Sequence, residues 1–153
     1  MSYLDNAATT YPKPDAVYSF MDSFYRNHGG SVGRGGYALA TTAKGLVDET
    51  RKLIQELMHC HAKQVIFTPT ATIALNMIIQ GAIVSGARSV YISPFEHNAV
   101  TRVLHHFEQL GQITVTELTV SESLEYDMVR IRYQFDAIRP DLVIVSHASN
   151  VIG

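Results

Sequence analysis

Apolar and polar positions recur along this chain with two different periods. Val17, Phe20, Met21, Phe24 and Tyr25 return at helical spacing and predict a helix to about residue 27, with Pro14 suited to its first turn. Leu46, Val47, Thr50, Leu53, Ile54 and Leu57 mark the buried stripe of a second helix over about residues 38–59. Between the two, five glycines in the nine residues 28–36 exclude a regular element and predict a loop. From residue 64 the pattern becomes regular. Short apolar runs at 64–68, 89–92, 113–120 and 142–145 predict strands, and helical patterns at 72–84, 99–110 and 128–138 separate them. Strand alternating with helix is the signature of an α/β fold with a largely parallel sheet and right-handed crossovers.

Ligands of such sheets bind outside the carboxyl ends of the strands, so the residues that follow each strand are the candidate site. Thr68-Pro69-Thr70-Ala71-Thr72 leads straight into a helix. Its hydroxyls and free N–H groups suit a phosphate, and Thr70 or Thr72 equally suits a plain helix cap. Ser93-Pro94-Phe95-Glu96-His97-Asn98 follows the second predicted strand. His97 there is placed to stack on a flat ligand or move a proton, or is an ordinary loop histidine. Ser146-His147-Ala148-Ser149-Asn150 follows the last, and Asn150 offers an amide donor or a turn residue. Three polar clusters, at three of the four predicted strand ends, together predict a flat, phosphorylated ligand across the top of the sheet. No glycine fingerprint follows a strand, which disfavours a dinucleotide, and there is no Walker sequence.

Composition narrows the class further. A hydrophobic content of 46% excludes a disordered tail, and 153 residues suffice for one domain. A net charge of −2 leaves no basic field for nucleic acid or anionic lipid. Neither a signal peptide nor a spanning segment is expected, since the longest oily run, 73–84, is interrupted by Asn76 and Gln80. Cys60 has no internal partner, which makes the cytoplasm the expected compartment. His59-Cys60-His61 and His105-His106 are poor metal sites, because adjacent helical residues diverge by about 100°. Residues 121–127 are expected to be a solvated acidic loop.

Five segments in order resemble the class V aminotransferase family of pyridoxal-phosphate enzymes, in particular its cysteine desulfurases and selenocysteine lyases. They are Tyr3-Leu4-Asp5-Asn6-Ala7-Ala8-Thr9-Thr10, the glycine-arginine loop from Gly29 to Ala40, Phe67 to Asn76, Glu96-His97-Asn98-Ala99-Val100, and Ser146 to Gly153. The resemblance implies the N-terminal part of a type I pyridoxal-phosphate fold. Residues 1–13 would be the entry segment and 14–153 the first half of the large cofactor domain. By carry-over, Thr70, Ala71 and Thr72 hold the cofactor phosphate, His97 stacks on the pyridine ring and assists proton transfer, and Asn150 binds the ring hydroxyl. Ala7 and Arg34 border the substrate. The implied reaction removes sulfur or selenium from cysteine or selenocysteine and leaves alanine. The implied assembly is a homodimer that passes sulfur to an acceptor protein.

Lys13, Lys44, Lys52 and Lys63 do not match the family's cofactor-bearing lysine, and Cys60 does not match its sulfur-accepting cysteine. This chain alone is therefore expected to be inactive and, with an unpaired sheet edge, prone to associate. The alternatives are a transaminase or another pyridoxal-phosphate lyase of the same fold. A non-catalytic domain for a phosphorylated ligand or a protein partner is the alternative if the gene ends at residue 153.

Overall fold

A computed structural model describes residues 2–6, 8–33 and 35–149. The chain divides into two compact units, Met1–Phe67 and Thr68–Gly153.

The first unit carries α1 (Asp15–His28) and α2 (Ala38–Leu57). Pro14 stands at the N-cap of α1, one place ahead of the first turn where the sequence pattern puts it. The aromatic row of α1 forms as expected, with Phe20 and Phe24 stacked at 6.0 Å, but the helix buries none of its residues. On α2 the buried positions are Ala40 and Ala43, while Leu53 and Leu57 face solvent. The reason lies on the opposite side of the helix. There the Arg51 guanidinium donates to the Val65 carbonyl (3.2 Å) and the Gln55 amide to that of Lys63, so the returning chain runs along that face. The strand expected at 64–68 does not form. A strand exists only as part of a ladder, and no described strand pairs with this segment.

The second unit runs α3 (Ala71–Val84), β1 (Ser89–Ile92), α4 (Asn98–Gln109), β2 (Thr114–Glu117), α5 (Met128–Ala137) and β3 (Leu142–Ile144). β1 coincides with the run that predicts it, β2 and β3 are shorter than theirs, and the order along the chain is as expected. They form a parallel sheet in the order β2-β1-β3, with Val90 opposite Val115 and Leu142. Alternation sends the residues of the central strand to opposite faces. Val90 and Ile92 enter a core with Ile79, Ile83, Val100, Val103, Leu104 and Ile113, whereas Tyr91 packs with Leu118 and Ile131. The central strand is thus covered on both faces, by α3 and α4 on one and α5 on the other. Burying each such aliphatic side chain contributes about 1.5–3 kcal/mol.

Both helices of the first face end the same way. Gly86 (φ 111°) and Gly111 (φ 67°) take the left-handed conformation that terminates α3 and α4. In each case the glycine N–H and the next N–H turn back to the closing carbonyls, Ile83 and Ala82 in α3, Glu108 and Phe107 in α4.

A carboxylate ties β1 to β3 at their amino ends. Asp141 Oδ2 accepts the N–H groups of Arg88 (2.8 Å) and Ser89 (3.0 Å). Those two bonds, Ser89 first and then Arg88, hold the Asp141 carboxyl below the ordinary carboxylate range.

Candidate functional site

The turn into α3 is built by threonines. Thr68 Oγ1 donates to the Thr70 carbonyl (2.9 Å), and Thr70, extended at φ −147°, caps the helix by accepting the Ile73 N–H (3.2 Å). The capping reading of Thr70 is therefore met. It leaves the first two helical N–H groups, Ala71 and Thr72, without an acceptor among the described residues. Open N–H groups at the positive end of a helix dipole are suited to an anion. Thr72 is exposed, and its carbonyl takes the Asn76 amide (2.8 Å) one turn on.

The turn after β1 places His97 at the N-cap of α4. Its Nδ1 accepts the Ala99 N–H (3.0 Å), which assigns the proton of the neutral ring to Nε2. An imidazole acting as a helix cap cannot rotate freely, so the ring is aimed as well as anchored. Glu96, beside it, takes three hydrogen bonds. Oε1 accepts from Ser93 Oγ (2.5 Å) and the Ser146 N–H (2.6 Å), and Oε2 from Ser146 Oγ (2.9 Å).

Thr72 and His97 meet at one cavity of about 350 Å³, lined also by Asn76, Asn98, Ala99, Arg102 and Val103. That volume is in the range of small-molecule sites. The sequence reading did not single out Asn76 or Arg102. A signal for both existed, since Asn76 lies four residues after Thr72 and Arg102 four after Asn98, the spacing that shares a helix face. Glu96 had no such signal, because its partner Ser146 is 50 residues away.

Of the other expected site residues, Ala7, Arg34 and Asn150 lie outside the described residues. Cys60 is exposed, and among the described residues no three His, Cys, Asp or Glu side chains are grouped to hold a metal ion. Lys44 pairs with Asp48 on α2 (2.5 Å). No described helix is long and apolar enough to cross a membrane.

The Aminotransferase class-V family profile matches residues 2–153. The chain is 29% identical to the "Probable cysteine desulfurase" of Halalkalibacterium halodurans, and 30% identical to the "Cysteine desulfurase IscS" of Dictyoglomus turgidum. Each alignment covers 99% of this chain and 38% of the relative. The chain thus spans little more than a third of the length of the relatives it matches. Among solved structures, the apo cysteine desulfurase from Thermococcus onnurineus NA1 superposes with a TM-score of 0.85 at 23% identity, over 97% of this chain and 37% of that one.

Proposed function

The chain belongs to the class-V aminotransferase family, and from that premise we propose that its second unit is the phosphate- and ring-binding part of a pyridoxal-phosphate enzyme of cysteine desulfurase type. One observation carries the reading. Thr72 at the start of α3 and His97 at the start of α4 line the same cavity, next to two N–H groups free to receive an anion.

The residues present fit the group. A phosphate finds the Ala71 and Thr72 N–H groups, the Thr72 hydroxyl and the α3 dipole. A flat ring finds the imidazole of His97, held by Ala99. Asn150 is assigned to the ring hydroxyl, and Ala7 and Arg34 to the border of the substrate, on the family motifs alone. When bound, the cofactor supplies an electron sink for charge developing at the α-carbon of an amino acid. The chain's own part is to fix that group and keep a donor in place. His97, with Nδ1 engaged, offers Nε2–H toward the ligand and is the candidate proton carrier.

Cysteine or selenocysteine as substrate, release of alanine, a homodimeric assembly, a sulfur-acceptor protein and a cytoplasmic location belong to the same proposal. It assigns 1–13 to an entry segment and 14–153 to the large cofactor domain. Lys13, Lys44, Lys52 and Lys63 all precede the second unit in sequence, and none is assigned covalent attachment of the cofactor. The unit is therefore proposed to bind without turning over.

Comparing pyridoxal phosphate with pyridoxal tests the reading. The phosphate is expected to bind more tightly, and Thr72→Val to remove about tenfold of that advantage, the effect of losing one hydrogen bond to a charged group. Equal affinity for the two ligands, or no binding of either, overturns it.

A further inference from the structure

We propose that Glu96 is a positioning residue, whose carboxylate ties the turn after β1 to the turn after β3 and thereby fixes the imidazole of His97; its consequence for the ligand rests on the pyridoxal-phosphate reading above. Every bond that Glu96 makes crosses from one turn to the other or closes the first. Ser93, 1% exposed at the end of β1, donates its hydroxyl to Oε1 and accepts the Phe95 N–H (3.2 Å) on the same oxygen. Its own N–H donates to the Ile144 carbonyl on β3 (3.0 Å). Ser146, two residues beyond that carbonyl, gives Glu96 both its N–H and its hydroxyl. Bonds to an ionised acceptor at these lengths are the strong kind.

His97 is consequently held from two sides. Glu96 fixes the backbone entering it, and the Ala99 N–H fixes the ring leaving it. Without the carboxylate, the turn keeps its Ser93–Ile144 bond but loses both ties to Ser146, and the ring is free to leave Ala99 and exchange tautomers. The same grip fixes Ser146 in the turn after β3. Asp141 performs the matching task at the other end of the strand pair, but no candidate site residue adjoins it.

A glutamine at position 96 retains an oxygen for Ser93 Oγ and the Ser146 N–H. Its amide group meets Ser146 Oγ, which is able to accept, so Glu96→Gln keeps the bridge where Glu96→Ala removes it. Two measurements on the full chain test the proposal. The first is the imidazole nitrogen spectrum of His97, recorded without ligand and assigned by its loss in His97→Gln. The wild-type chain is expected to show the Nε2–H form, Glu96→Ala a mixture of both tautomers, and Glu96→Gln the wild-type pattern. The second is affinity for pyridoxal phosphate. Glu96→Ala is expected to weaken it about tenfold, Ser146→Ala less, and Glu96→Ala in a His97→Ala background under about twofold, because partners in one network are not additive.

An unchanged tautomer pattern in Glu96→Ala overturns the proposal, as does an equal loss of affinity in both backgrounds. If Glu96→Ala fails to fold, Ser146→Ala decides: it must broaden the His97 signals toward exchange, and an unperturbed spectrum overturns the proposal. If the wild-type chain does not bind pyridoxal phosphate, the cofactor reading fails, while the tautomer measurement still decides the role of Glu96.

Discussion

Asp141 and Glu96 brace the β1–β3 pair at opposite ends, one taking two backbone N–H groups and the other one backbone N–H and two serine hydroxyls. Asp141 makes a prediction about acid stability. Its carboxyl is held below the ordinary value of 3.8 in the folded chain, so the unfolded chain binds more protons in the interval between the two values. The stabilisation is fully present above that ordinary value and is lost as pH falls through the folded one. Asp48 works in the same direction, chiefly through its bond from Lys44. Thermal midpoints measured against pH should therefore fall on the acid side for the wild-type chain, and fall less steeply for Asp141→Asn. Identical slopes would show that the Arg88 and Ser89 bonds carry no charge-dependent stability. At this scale the sequence exposed the candidates that follow apolar runs, because a polar cluster after such a run is a local pattern. It did not expose Asp141, which precedes a strand and reaches back to residues 88 and 89.

Among the elements, α5 shows how a helix is both started and docked. Asp127 accepts the N–H groups of Val129 (3.1 Å) and Arg130 (3.0 Å), so the end of the acidic 121–127 segment is a helix cap as well as a loop. Removing it with Asp127→Ala should cost about 1 kcal/mol. The docking comes from Tyr91 on β1, 2% exposed, whose hydroxyl lies 2.9 Å from both the Gln134 and Ile138 carbonyls and shares its one proton between them. Tyr91→Phe keeps the ring against Phe135 and leaves those carbonyls short of a donor, a loss of about 1–2 kcal/mol. Urea titration of either variant should show a lower midpoint with an unchanged slope; a changed slope would mean that the unfolding unit itself had altered. Helical periods located all five helices among the described residues to within about two residues. The α1 and α2 stripes were legible as amphipathic faces, but which of their residues find a neighbour was not. Periodicity reports a face that is able to be buried, and burial needs something on the other side.

Across the whole molecule, large apolar side chains remain exposed: Leu53 and Leu57 on α2, Met77, Ile78 and Val84 on α3, Val143 and Val145 at β3. Within the described sheet β2 and β3 also each keep one unpaired edge. Exposed apolar area next to open strand edges favours association, so the mass of the chain by light scattering should rise with concentration. A concentration-independent monomer would contradict this. The sequence by itself determined the alternating α/β order, a threonine suited to cap α3 at position 70 or 72, and the family motifs, because spacing, capping offset and short motifs are all settled within a few residues. Only the tertiary structure decided that residues 64–68 form no strand, that Thr72 and His97 share a cavity, and that Glu96 meets Ser146. Each of those depends on segments far apart in the chain coming together, and a contact between distant positions leaves no period or spacing to read.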